Sequence, residues 1–148
     1  LEAKFPLKAV MKNAPAIDLR ASVSRNWSSV DAVPGPNNRL DSQTPFSATF
    51  GIDYKAGPLT TGASYAFKNA GPVRISDNLG SYSSVPRDMD VYAVWKCNPT
   101  YQLRVAVSNV LGQDYINDST YTDSFGPSRS RSVYPGATIG RATLEAKF

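Results

Sequence analysis

The chain has 148 residues, 41% hydrophobic and 19% charged, with a formal charge of +4, one cysteine and no histidine. Without histidine there is no Ser-His-Asp triad, no HExxH metal site and no imidazole-bound haem, and a lone thiol forms neither an internal disulfide nor a thiolate zinc site. No stretch reaches the roughly 18 to 20 consecutive apolar residues of a membrane helix, but a mean hydropathy of −0.31 is what a transmembrane β-barrel gives, because its outward apolar residues alternate with inward polar ones.

Seven segments in chain order carry period-2 alternation, the mark of strands with one apolar face. The first, Leu1 to Lys8, is a short version of the last. In the second, Ile17, Leu19, Ala21 and Val23 alternate with Asp18, Arg20, Ser22 and Ser24. The third sets Phe46, Ala48, Phe50, Ile52 and Tyr54 against Ser47, Thr49, Gly51, Asp53 and Lys55. The fourth sets Leu59, Ala63, Tyr65 and Phe67 against Thr60, Gly62, Ser64 and Lys68. In the fifth, Met89, Val91, Ala93 and Trp95 oppose Asp88, Asp90, Tyr92 and Lys96; in the sixth, Tyr101, Leu103, Val105 and Val107 oppose Gln102, Arg104 and Ser108. The seventh carries Gly140, Ala142, Leu144, Ala146 and Phe148 opposite Arg141, Thr143, Glu145 and Lys147.

The connections between these segments alternate in length. Long polar ones, Asp31 to Pro45, Asn69 to Arg87 and about Ile116 to Gly136, alternate with short ones, Ala9 to Pro15, Lys55 to Pro58 and Asn98 to Thr100. A soluble sandwich has no reason for that rhythm, whereas an outer-membrane barrel places long loops outside and tight turns in the periplasm. Aromatic residues gather at both ends: Tyr54, Trp95, Tyr101 and Phe148 at the turn end, Trp27, Phe46 and Phe67 at the loop end, as two headgroup-level girdles would require. The predicted fold is all-β, an antiparallel up-and-down transmembrane barrel segment of about seven strands. A strand within Asn69 to Arg87 is argued against by Gly71, Pro72, Gly80 and Pro86. Cys97 reads as a small buried or lipid-facing hydrophobe.

Three stretches, Ala14 to Arg39, Tyr101 to Asp123 and Arg131 to Phe148, resemble the C-terminal third of TonB-dependent receptors, the plugged uptake barrels of the bacterial outer membrane. The run SNVLGQDY is similar to that family's Asn-Leu-Leu-Asp-x-x-Tyr signature, with Gly112 where an acidic residue is common. Leu144, Ala146 and Phe148 resemble the terminal signal read by the barrel-assembly machinery. Seven strands cannot close a bacterial single-chain barrel. Residues 1-148 are therefore expected to be the C-terminal part of such a receptor, opening in mid-strand at Leu1 without a signal peptide and lacking the plug domain and N-terminal strands.

The resemblance implies active transport, with outer-membrane lipid and lipopolysaccharide, the assembly machinery, the plug and TonB as partners. It also implies a ferric siderophore as ligand, caught by loop residues Arg74, Tyr82, Arg87, Arg129, Arg131 and Tyr134, since guanidinium forks and phenol rings suit an anionic, aromatic chelate. The plainer reading of the same loops is that they are solvated, or touch lipopolysaccharide phosphates. No cofactor, metal, nucleic-acid partner or enzymatic activity is expected. Asp114, Asp118 and Asp123 lack EF-hand spacing, and Arg20, Arg104, Arg141, Asp18, Asp53 and Glu145 read as a network of paired wall charges. The alternative is a self-contained small outer-membrane barrel with a structural or adhesive role. An outer-membrane hydrolase would lack the histidine its chemistry usually needs.

Overall fold

Alternation resolves into eleven antiparallel strands in the computed structural model, which describes residues 1–146. They are β1 (Glu2–Pro6), β2 (Ile17–Arg25), β3 (Phe46–Ala56), β4 (Leu59–Asn69), β5 (Gly71–Arg74), β6 (Leu79–Ser83), β7 (Arg87–Lys96), β8 (Tyr101–Ser108), β9 (Tyr115–Asp123), β10 (Gly126–Tyr134) and β11 (Ile139–Ala146). A 3-10 turn, Leu7–Ala9, follows β1. No helix among the described residues is long and apolar enough to cross a membrane. Phe148, assigned above to the assembly signal and the turn-end girdle, lies outside the described residues, as does Lys147.

The seven segments read from the sequence form one sheet, in the order β1-β2-β3-β4-β7-β8-β11. Register keeps like residues together. Phe5 pairs with Leu19, Leu19 with Ile52, Ile52 with Ala63, Ala63 with Val91, Val91 with Val107 and Val107 with Gly140, so one apolar row crosses every strand. A one-residue slip of any strand would invert its faces. The turns fix the register chemically. Gly57, with φ +56, and Pro58 form the two-residue link between β3 and β4, the positive-then-negative φ pattern of a type II′ hairpin. In the next turn the Asn98 carboxamide oxygen accepts hydrogen bonds from the amides of Thr100 (2.9 Å) and Tyr101 (2.8 Å). Cys97 sits in this turn, exposed. Of the two expected placements, buried or lipid-facing, burial is thereby overturned: the strand ends one residue earlier, and position 97 belongs to the turn.

Two of the connections expected to be loops are instead hairpins, β5/β6 and β9/β10, which join as a second, outer sheet of order β10-β9-β6-β5. The argument from Gly71, Pro72, Gly80 and Pro86 fails because β5 and β10 are edge strands. There Pro72 and Pro127 need no amide on the open side, and Gly71 (φ +94) and Pro86 lie where the chain passes between sheets. In order, the outer strands follow β4, β7, β8 and β11. Phe67↔Arg87 and Gly71↔Ser83 keep the same count on both strands, so the β4-β7 hairpin runs on into β5/β6 in register. Across the next pair, eight positions separate Val91 from Ser83 but ten separate Val107 from Asn117. The segment 109–114 thus holds two extra residues, and Asn109 (φ 51) and Gly112 (φ 55) supply the left-handed conformations that fold them in.

This is the SNVLGQDY stretch, laced down at several points. The amide of Asn109 donates to Asp90 (2.9 Å), its side-chain nitrogen to the Ala137 carbonyl (3.2 Å), and the Gly136 amide to Asp114 (3.0 Å). Gly112, with its positive φ, stands where any side chain would be strained.

There is no conventional core. Among the described residues only Ala14, Val33, Ala48 and Val73 are buried hydrophobes, while Phe50, Ile52, Trp95, Val105 and Leu144 are 41–67% exposed. A folded monomer of 16.0 kDa would expose about 7,400 Å². This chain exposes 10336 Å².

Candidate functional site

The outer sheet gathers part of the predicted ligand set. Across it Pro72 pairs with Tyr82, Tyr82 with Asp118 and Asp118 with Arg131; one step along, Arg74 pairs with Gly80, Gly80 with Thr120 and Thr120 with Arg129. Alternation places all of these on one face. Tyr82, Asp118, Arg129 and Arg131 line a shallow cavity of about 440 Å³, and Arg74 lines a neighbouring one with Tyr82 and Asp118.

The electrostatics separate the three arginines. Arg129 Nε lies 2.8 and 2.9 Å from the two oxygens of Asp118, and its Nη2 donates to the same carboxylate. That hydrogen bond, with the nearby charges of Arg129 and Arg131, holds the Asp118 carboxyl below its ordinary value of 3.8, and the same hydrogen bond with the charge of Asp118 raises Arg129 further above its own. Arg74 is taken up by Asp77 (3.8 Å) and by the carbonyls of Pro34, Ser76 and Asp77. Arg131 makes no ion pair among the described residues. The free cation of this face is therefore Arg131, beside the half-exposed Tyr82.

A pH dependence follows from Asp118. Because its folded value is depressed, the pair's contribution is complete above the ordinary carboxylate range and is lost as pH falls through the lowered value. We expect the amide signals of Thr120 and Ser130 to show this acid step in wild type and to lack it in Asp118→Asn. The same step in both proteins would exclude the pair as its origin.

The remaining predicted residues lie elsewhere. Tyr134 stacks on Tyr115 at 6.1 Å, on the opposite face of the outer sheet. Arg87 begins β7 directly opposite Phe67, on the apolar face of the wall. Leu144 and Ala146 are on the apolar face of the edge strand β11. Asp114, Asp118 and Asp123 do not converge: each serves a different partner, Gly136, Arg129 and Phe125, and no group of potential metal ligands occurs among the described residues.

The sequence reading missed a larger polar cavity of about 610 Å³ beneath the first long connection, lined by Arg39, Lys68, Ser81, Ser83, Tyr115 and Asn117 among others. Arg39 Nη2 reaches the carbonyls of Ala70 (3.1 Å) and Gly71 (3.4 Å), and its Nε is buried with no partner among the described residues. These residues come from four separate segments, so no spacing could have announced them.

On the polar face of the wall, Asp53 is the hub. It accepts from Arg20 Nη2 (2.7 Å) and from the Tyr92 hydroxyl (2.5 Å), and Arg104 lies 5.6 Å over the Tyr92 ring. Lys55 pairs with Asp18 at 3.0 Å, and Gln102 donates to Glu145. Gly62 makes room for the hub, since a Cβ there would meet Asp53 Oδ1 and the Tyr92 ring at 2.5 Å. Of the expected paired wall charges, Asp53 pairs with Arg20 and Asp18 with Lys55, whereas Glu145 meets the neutral Gln102, Arg104 the Tyr92 ring, and Arg141 makes no ion pair among the described residues. Tyr92, read only as a polar-face position, links Arg20 and Arg104.

Neither a protein-family model, nor a curated protein, nor a solved structure matches the chain.

Proposed function

We propose that the chain is a wall segment of a bacterial outer-membrane β-barrel of the TonB-dependent receptor kind, working in the uptake of a ferric siderophore. The observation that carries this reading is the wall's two faces: a continuous, unpacked apolar face backed by an ionic one, on strands of up to 11 residues. The surface left exposed is what lipid would cover. Strand number argues against a small barrel closed by the described strands alone. β1 and β11 both run towards the turn end, so they cannot pair antiparallel with each other, and closure needs an odd number of further strands. About fifteen would complete a 22-stranded transporter. The outer sheet then stands above the bilayer, and Tyr82 with Arg131 offers an aromatic and a cationic contact to an anionic chelate. Nothing in this segment couples energy to transport; that role falls to the plug.

Topology tests the reading. In a Cys97→Ser background, a cysteine at Ser128 in β10 is expected to react with an impermeant maleimide on intact cells, while native Cys97 reacts only once the outer membrane is breached. The reverse order would overturn the orientation, and equal reactivity on intact cells would remove the membrane. For the ligand, Arg131→Gln is expected to weaken ferric-siderophore binding about tenfold, or 1.4 kcal/mol, in equilibrium titration of the whole receptor. Unchanged affinity would detach the siderophore from this face.

A further inference from the structure

The apolar face of the seven-stranded wall carries almost no charge. From β1 to β11 its positions are filled by aliphatic, aromatic, small and a few neutral polar residues, and no acidic side chain occurs on it among the described residues. The exceptions are two arginines, Arg25 at the end of β2 and Arg87 at the start of β7. Both sit at the loop end, and neither makes an ion pair among the described residues. Between them lie β3 and β4, whose Phe46 and Phe67 rings pack at 5.9 Å. Arg25 pairs with Phe46 and Arg87 with Phe67, so the two residues stand on either side of this aromatic platform. Three inter-strand steps and a two-residue offset along the strands separate their backbones by roughly 16 Å. Arg25 also lies 5.0 Å over the ring of Trp27, which is 74% exposed. Stacking there uses the flat face of the guanidinium and leaves its edge donors free.

Two unpaired cations on a face otherwise built for hydrocarbon, both at the level where that face ends, call for an anionic lipid headgroup rather than a dissolved ligand. We propose that Arg25 and Arg87 clamp the two phosphates of a bisphosphorylated glycolipid of the outer leaflet, with its acyl chains descending over Phe46, Phe67 and Ala48. Guanidinium meets phosphate through paired, charge-assisted hydrogen bonds, and the two-point spacing selects a headgroup phosphorylated at both ends. The proposal rests on the membrane reading above.

The test uses the whole protein in phosphatidylcholine nanodiscs containing diphosphoryl lipid A, or its dephosphorylated form, with retained lipid counted by native mass spectrometry and insertion followed separately by heat-modifiable gel mobility. Wild type is expected to retain the diphosphoryl lipid at least about tenfold better than the dephosphorylated one. The R25Q/R87Q pair is expected to lose that preference, whereas R25K/R87K keeps most of it and R129Q keeps all of it. Equal retention of both lipids by wild type, or an undiminished preference in R25Q/R87Q, would overturn the clamp while leaving the barrel reading intact. Failure of the wild type to insert would sink both.

Discussion

Replacing Val105 by arginine is expected to weaken insertion of the whole barrel by about 2–4 kcal/mol, the cost of a cation at mid-bilayer on a barrel's lipid face. Val105 lies midway along β8, between Ala93 and Ala142, 43% exposed on the apolar face with no polar group opposite it. Its neighbour Arg104 points the other way, over the Tyr92 ring. Arg104→Val should therefore cost only the cation–π contact, about 0.5–1 kcal/mol. A folding titration into lipid vesicles reads both values. Equal costs at the two positions would abolish the assignment of faces and the membrane reading with it.

The second large effect is expected at Gly136. A Cβ there would run into the carbonyl carbon and oxygen of Gln113 and the carbonyl carbon of Gly112, all backbone atoms that cannot rotate away. The surrounding lacing adds to the cost, because Gly136, Ala137 and Thr138 each bond to the segment that stores the two extra residues. Gly136→Ala should cost about 3 kcal/mol, the upper part of the overpacking range. Gly140→Ala is the control, since its Cβ would meet nothing within 4 Å, and its cost should stay within about 0.5 kcal/mol. Urea unfolding that gave the two variants the same midpoint would show that 109–114 is not clamped against 136–138.

Both results bear on what was legible in the sequence. The wall strands could be read because each has one face that must be apolar, which writes period 2 into Ile17–Val23 or Tyr101–Val107 without ambiguity. The outer strands could not be read this way. Both faces of β9 are polar (Asn117 and Ser119 on one, Asp118 and Thr120 on the other), so hydrophobicity has no period there. A subtler signal was present in β10, where Ser128 to Ser132 alternates serine with arginine. The prolines misled because their prohibition applies to interior strands, and edge position is a property of the sheet rather than of the segment. For the outer-sheet face, residue type picked out Arg74, Tyr82, Arg129 and Arg131, which the sheet brings together, but could not separate Arg131 from Arg129. That distinction needs the partner Asp118, eleven residues away and diagonal in register.

The unbroken register from β4/β7 into β5/β6 governs how such a chain can change in length. A single residue lost at 69–70 would turn every side chain beyond it on that strand through to the other face, exposing Val73 and moving Arg74 away from Tyr82. Insertions in the walls are tolerable only in pairs, as at 109–114, and then only with residues that accept positive φ. The hairpin tips are free of this restriction. At Ser124–Phe125, with Phe125 98% exposed, added residues disturb no pairing, so variation among descendants of this chain, and any epitope grafted onto it, should accumulate there.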